Sequence, residues 1–296
     1  MKKGKEPVFL GVGTALITPF CDGELDYKTL DTLIERQIAQ GVGALIIGGT
    51  TGEAATLSEN ERYTLYEHSM ERIRGRVKVV LGTGTNDTSA AVNHTRFAES
   101  IGADAALVVT PYYNKGTEEG IFRHYSIIAD STDIPIILYN VPSRTGVNLG
   151  LHLLERLGEH PRICGLKEAS DSADRLVALS NFRDTLPLYA GNDSQIYPVL
   201  ALGGRGVISV ASNILPGALA RLCAHYFTGE WDAALEIQLK LLPLIRALFA
   251  ETNPAPVKYA MSRLGLSGGE LKLPLAEVRT STKELIDREL TSLGLI

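Results

Sequence analysis

The sequence predicts an α/β fold, a (β/α)8 barrel with a C-terminal helical appendage. Three observations predict it. Short apolar, β-branched runs recur along the chain as far as about Val210. Helix-like segments separate most of them without a long linker. Beyond them, only helical patterns remain. Strands that alternate with helices pair in parallel, and eight such units favour a closed barrel over a doubly wound sheet.

The candidate strands are residues 11–17, 44–47, 77–81, 105–109, 134–138, 163–166, 186–189 and 206–210. Each is a short, mainly apolar run, as expected of strands covered on both faces. The first helix is predicted over 26–40, with Asp26 as its N-cap and Leu30, Leu33, Ile34 and Ile38 on one face. Ser58, with Glu61 three residues on, reads as a capping box for the next helix. Residues 218–227, 231–249, 257–264 and 283–293 are rich in Leu, Ala and charged residues and read as helices. The expected division is a barrel over 1–224 that carries the active site and a helical region over 225–296. The tail is not expected to fold independently.

At 296 residues and 45% hydrophobic content, the chain can bury a large core. A net charge of -5, with no long Lys/Arg block, argues against nucleic acid as a partner. The basic start at Met1-Lys2-Lys3-Gly4-Lys5 leads into an apolar run too short and mixed for a secretory leader. No segment approaches the ~20 apolar residues of a membrane span, so a cytoplasmic enzyme is expected. Cys21, Cys164 and Cys223 are odd in number and scattered, which argues against a disulfide framework. Cys164 lies inside an apolar run and is expected to be a small buried hydrophobe. The six histidines include no pair at metal-ligand spacing, and no metal site is expected.

In this fold, chemistry sits at the carboxyl ends of the strands. Lys167 ends the sixth apolar run and Tyr139 follows the fifth. Alone, such a lysine would more often simply leave the strand for solvent. Burial disfavours an ammonium, however, and a free amine is the nucleophile that forms a Schiff base with a ketone. Thr50 and Thr51 follow strand two, Tyr112 and Tyr113 strand four, and Gly191-Asn192-Asp193 strand seven, so all should face the same mouth. Gly48-Gly49-Thr50-Thr51-Gly52-Glu53 can turn tightly and offer backbone N–H groups to an anion. No Gly-Lys-Ser/Thr follows, so a carboxylate suits it better than a phosphate. An ordinary turn with threonine caps competes with this reading. Gly203-Gly204-Arg205-Gly206 precedes strand eight, at the far end from the chemistry, and reads as a turn. Tyr139 and Tyr113 suit either packing or proton transfer. Arg144, in an exposed Pro-Ser-Arg-Thr-Gly loop, suits either solvent or a carboxylate clamp.

The chain resembles the dihydrodipicolinate synthase family, within the pyruvate-dependent Schiff-base lyases that include N-acetylneuraminate lyase. The likeness runs from about Gly11 to the end. It is carried by Gly49-Thr50-Thr51-Gly52-Glu53, Thr110-Pro111-Tyr112-Tyr113-Asn114, residues 138–146, Gly165-Leu166-Lys167-Glu168-Ala169, Gly206-Val207-Ile208-Ser209 and Asn253-Pro254-Ala255-Pro256-Val257-Lys258. The resemblance implies that Lys167 forms an imine with pyruvate and that Thr50 and Thr51 hold the pyruvate carboxylate. It implies a proton relay of Tyr139, Thr51 and Tyr113, the last reaching in from a neighbouring subunit. Arg144 would recognise L-aspartate 4-semialdehyde, and Gly191 and Ile208 would shape the pocket through their backbones. The implied product is 4-hydroxy-tetrahydrodipicolinate, on the route to diaminopimelate and lysine. The implied lyase needs no cofactor and assembles as a homotetramer, a dimer of dimers.

Sialic-acid lyases of the family usually carry an apolar residue where this chain has Arg144, which favours an amino-acid aldehyde over a sugar. Another pyruvate-dependent aldolase, acting on 2-keto acids or resembling N-acetylneuraminate lyase, is the alternative. A barrel that only binds a keto acid disagrees with the intact set Lys167, Tyr139, Thr51 and Tyr113. Members regulated by lysine carry a glutamate and two histidines where this chain has Ala90, Glu59 and Arg62, although Asn86 and Tyr112 remain. Weak or absent feedback by lysine is expected.

Overall fold

The computed structural model describes residues 4–296. Eight parallel strands form a closed barrel in which each neighbours the next in sequence. They are β1 (Gly11–Ala15), β2 (Ala44–Ile47), β3 (Lys78–Gly82), β4 (Ala105–Val109), β5 (Ile136–Asn140), β6 (Ile163–Glu168), β7 (Leu188–Ala190) and β8 (Gly206–Ser209). Strands five and seven start two residues later than the sequence predicts. The displacement falls at Pro135 and Pro187, which have no N–H for a ladder and act only as acceptors, from Ala106 and Leu166. Strands five and six also run two residues past their predicted ends, so Tyr139 and Lys167 lie within their strands rather than after them.

The helices are α1 (Tyr27–Ala39), α2 (Glu59–Ile73), α3 (Thr88–Ser100), α4 (Glu118–Asp130), α5 (Pro142–Thr145), α6 (Leu151–Gly158), α7 (Ala173–Leu179), α8 (Ile196–Ala201), α9 (Pro216–Phe227), α10 (Trp231–Leu248), α11 (Ala255–Arg263) and α12 (Thr280–Ser292). Helix α1 begins as predicted, with the Asp26 side chain accepting from Thr29 N. Its buried face holds Leu30, Leu33, Ile34 and Gln37, with Ile38 only partly covered. Gln37 is buried because its amide is satisfied: it accepts from Thr14 Oγ1 at 2.7 Å and donates to Ser212 O at 2.9 Å. The capping box at Ser58 and Glu61 is present. No described helix is long and apolar enough to cross a membrane.

The chain separates into two compact units, residues 4–11 with 78–208 and residues 12–77 with 209–296. In the first, Ile136 pairs with Ile163 but Ile137 pairs with Gly165, so Cys164 is an extra residue in a bulge. Cys164 is therefore half-buried rather than a core hydrophobe, and its thiol reaches Pro161 O at 3.3 Å. Phe9 stacks on Tyr189 with ring centroids 4.5 Å apart, and the Tyr189 hydroxyl donates to Phe9 O at 2.9 Å. The Gly203–Gly206 cluster is a turn into β8, and a Cβ on Gly206 would collide with Gly11 O.

His124, 5% exposed on α4, meets Thr88 Oγ1 through Nδ1 at 2.9 Å. Burial pushes its pKa from the ordinary 6.5 down to about 4, against an opposing pull from Asp87. The native imidazole then stays neutral while the unfolded one takes up a proton. Stability on this residue's account falls as pH drops from about 6.5 to about 4, by about 3 kcal/mol. Denaturant unfolding near pH 7.5 and near pH 4 is expected to show a correspondingly smaller difference for His124→Gln than for the parent.

In the second unit, β1 and β2 pair from Gly13–Ala44 to Ala15–Ile46. Asn213 locks β1 by donating to Ala15 O at 2.8 Å and accepting from Ile17 N at 3.1 Å. A hairpin of Phe20–Cys21 with Glu24–Leu25 turns at Asp22 and Gly23, both with positive φ. The Asp-Gly pair is the sequence signal for that turn. In the tail, α10 packs on α9 and α12, and α11 packs on α12.

Candidate active site

Tyr139 and Lys167 are direct partners across β5 and β6, as are Asn140 and Glu168 one residue on. Side chains alternate along a strand, so the first pair projects from one face and the second from the other. Lys167, 5% exposed, holds its Nζ 4.1 Å from the centroid of the Tyr139 ring. Thr110 fixes Tyr139 from the neighbouring strand end, its N–H and hydroxyl each donating to Tyr139 O at 3.0 Å.

The opposite pair anchors the strand ends. The Glu168 carboxylate is fully buried and accepts from Asn140 Nδ2 at 2.8 and 3.1 Å, Ser170 N at 3.1 Å and Arg175 Nε at 3.1 Å. Asn140 also donates to Asn148 Oδ1 at 2.8 Å and accepts from Leu149 N at 3.1 Å. A buried carboxylate persists only when paired and hydrogen-bonded in this way. Gly191 N donates to Glu168 O at 2.6 Å, and a Cβ on Gly191 would come within 2.7 Å of that oxygen. Ile208 is fully buried in β8.

Thr50 and Thr51 occupy a turn after β2, closed by Gly52 N to Gly49 O at 3.0 Å and Glu53 N to Thr50 O at 3.1 Å. Thr51 is buried, and its Oγ1 accepts from Asn253 Nδ2 at 3.0 Å. Thr18 Oγ1 donates to Gly52 O at 2.7 Å. Glu53 has a left-handed φ of 57° and forms a buried ion pair with Lys258. Its other oxygen accepts from Lys272 N at 2.9 Å, and Lys258 Nζ also donates to Glu270 O at 2.7 Å. Burial pushes the Lys258 pKa below the ordinary lysine range, and the Glu53 carboxylate opposes that shift.

Arg144 is exposed, but on a single helical turn, α5, rather than in the predicted loop. Pro142 at its start and Gly146 at its left-handed end are the signals for that turn. Tyr113 is 90% exposed with φ 70°, and Asn114 N donates to Tyr112 O across it at 2.9 Å. This is a γ-turn of the rare positive-φ kind, tied down by Asn114 Nδ2 donating to Asn86 O at 3.1 Å. The strained turn holds the aromatic ring out in solvent.

The site residues read from the sequence thus fall into clusters. Lys167, Tyr139, Gly191 and Ile208 lie in or next to strands β5 to β8, and Thr50 and Thr51 share one turn. Sequence reasoning missed Asn140, Glu168, Arg175, Asn253 and the Glu53–Lys258 pair. Glu168 and Glu53 each sit inside a motif that carries the family resemblance, and Asn253 and Lys258 belong to the tail motif. Among the described residues, no group of three or more His, Cys, Asp and Glu side chains is placed to hold a metal ion.

A parallel (β/α)8 barrel with a buried lysine near a strand end, against a tyrosine ring, is an architecture that suits a lyase. The dihydrodipicolinate synthetase family model matches residues 8–293. The chain belongs to that family. It is 45% identical over 284 residues to the 4-hydroxy-tetrahydrodipicolinate synthase of Clostridium novyi, covering 96% of each chain. The dihydrodipicolinate synthase structure from Thermotoga maritima superposes with a TM-score of 0.95 at 42% identity, covering 98% of this chain and all of that one. The chloride-inhibited dihydrodipicolinate synthase of Acinetobacter baumannii, solved with pyruvate, gives 0.94 at 38% identity, covering 97% of this chain and 99% of that one.

Proposed function

We propose that this chain is a 4-hydroxy-tetrahydrodipicolinate synthase, condensing pyruvate with L-aspartate 4-semialdehyde in diaminopimelate and lysine biosynthesis. The observation that carries the chemistry is Lys167, buried in β6 with its amine over the Tyr139 ring. The Lys167 amine attacks the ketone carbon of pyruvate, and loss of water leaves an imine. Loss of a methyl proton gives an enamine, which attacks the aldehyde carbon of the second substrate. That substrate's own amine then attacks the imine carbon, closes the ring and releases Lys167.

Each proton in these steps needs a carrier. We assign them to Tyr139, Thr51 and a Tyr113 supplied by a second copy of the chain. The exposure and fixed turn of Tyr113 support that last assignment, and with it a homotetramer built as a dimer of dimers. Thr50 and Thr51 hold the pyruvate carboxylate, while Gly191 and Ile208 limit the pocket. Residues 225–296 are read as a helical appendage, and the enzyme as cytoplasmic. Turnover of pyruvate with L-aspartate 4-semialdehyde tests the proposal. Absence of turnover by folded protein, with turnover of another aldehyde, would assign the chain to a sister aldolase.

Arg144 is the proposed clamp for the semialdehyde carboxylate. Charge-assisted hydrogen bonds are worth about 1.5–3 kcal/mol, so Arg144→Ala is expected to lower kcat/KM for the semialdehyde by about 10- to 100-fold. Imine formation with pyruvate should be nearly unchanged. An Arg144→Ala enzyme that uses the semialdehyde as well as the parent does would remove Arg144 from this role.

Feedback by lysine is expected to be weak or absent. Ala90 offers no carboxylate for a ligand amine, and the Arg62 guanidinium, which donates to Ala54 O at 2.7 Å, brings a like charge. Half-inhibition at submillimolar lysine would contradict this.

A further inference from the structure

We propose that Tyr189 is a positioning residue for Lys167, its ring forming a floor under the lysine stem that keeps the amine at the strand end. The inference rests on the reading of Lys167 as the imine lysine and extends it to the neighbouring strand. Lys167 and Tyr189 are direct partners across β6 and β7, so their side chains leave the same face. Gly165, nearer the start of β6, belongs to that face as well and contributes no side chain to it. The Tyr189 ring takes up that room: a Cβ on Gly165 would come within 3.3 Å of Tyr189 Cε2. The layer under Lys167 is therefore an aromatic ring, not a space into which a flexible stem could fold back.

The ring is fixed at its far end by the segment that precedes β1. The Tyr189 hydroxyl donates to Phe9 O at 2.9 Å and accepts from Phe9 N at 3.2 Å, while the two rings stack. Phe9 and Tyr189 are both buried, so water does not compete for either bond. Burial pushes the Tyr189 pKa up to about 12, and the phenol keeps its proton through the neutral range. The segment is tied down in turn by Lys5, whose N donates to Asp184 O at 2.8 Å. Its ammonium directs all three donors to carbonyls, Gly158 O at 2.6 Å, His160 O at 2.7 Å and Ile163 O at 2.7 Å. Ile163 opens β6, so the segment grips the strand of Lys167 at its start and, through Tyr189, beside its end.

Ring and hydroxyl then have separate consequences. Tyr189→Phe keeps the floor but leaves Phe9 N and O without their partner. Its kcat/KM for pyruvate is expected within about 3-fold of the parent, with a lower midpoint of denaturant unfolding. Tyr189→Ala removes the floor and lets the amine leave its reacting position. A displacement of about 1 Å can cost 100-fold in rate, so kcat/KM for pyruvate should fall by about 10- to 100-fold. With pyruvate alone, the fraction of enzyme trapped by borohydride after a fixed short time should fall in step.

A purely structural residue would lower stability in both variants and leave the kinetics of the folded enzyme alone. A folded Tyr189→Ala enzyme within about 3-fold of the parent, or Tyr189→Phe as slow as Tyr189→Ala, would overturn the proposal. Should Tyr189→Ala not fold, Tyr189→Leu decides the same question, since it refills only part of the space. Slower trapping in Tyr189→Leu than in Tyr189→Phe is then the expected result, and equal rates would overturn the proposal. Trapping needs no semialdehyde, so a wrong aldehyde assignment leaves the comparison readable. A parent that traps no pyruvate would instead overturn the imine reading, and the floor with it.

Discussion

Lys167→Ala is expected to reduce turnover of pyruvate and L-aspartate 4-semialdehyde by at least about 10⁴-fold, the scale on which enzymes lose a covalent nucleophile. The proposed chemistry runs through a bond to this amine, and no neighbouring side chain can take its place in the β6 register. Lys167→Arg should be nearly as inactive, because a guanidinium stays protonated and does not form imines. The fold should survive both changes. The strand end is held from its other face by Glu168 with Asn140, Ser170 and Arg175, and the Lys167 side chain is not part of that network. Circular dichroism and steady-state kinetics on the same samples separate the two effects. A folded Lys167→Ala enzyme within about 10-fold of the parent would contradict covalent catalysis at this residue.

Lys258→Met is expected to destabilise the protein by about 3–5 kcal/mol, the cost of leaving one buried charge without its partner. Lys258 is 1% exposed and the Glu53 side chain is fully buried. Removing the lysine strands a carboxylate that still accepts from the Lys272 N–H but has lost its counter-charge. The double variant Glu53→Gln/Lys258→Met should recover most of the loss, because a neutral amide is far easier to bury than a lone carboxylate. Chemical denaturation of the parent, both single variants and the double variant measures the coupling. Additive losses would show that the two side chains do not act as a pair. The Lys258→Met variant should also lose activity, since Glu53 lies two residues beyond Thr51 in the same turn.

The sequence announces the barrel because every strand is an apolar run and the connections are short. The strand ends are less legible. Pro135 and Pro187 interrupt the donor pattern without interrupting hydrophobicity, so residues 134–138 and 186–189 run early against the observed strands. Cys164 looks like any buried position until the β5–β6 register shows a bulge there.

At the site, Lys167 and Tyr139 are legible because a polar group ending an apolar run is conspicuous. Asn140 and Glu168 are not, because their pairing depends on which residues of two strands stand side by side. The bond from Asn253 to Thr51 links residues 202 positions apart, and no local pattern encodes it. Tyr113 is conspicuous in the sequence as an aromatic after strand four. Its left-handed turn, however, follows from Asn114 and Asn86 and has no glycine to signal it.

The most direct measurement is to incubate the protein with pyruvate, reduce with borohydride and map the modified peptide by mass spectrometry. A single reduced pyruvyl adduct on Lys167, absent from Lys167→Ala, is the expected result. An adduct on another lysine, or none from an enzyme that turns over both substrates, would contradict the assignment of this barrel's chemistry to Lys167.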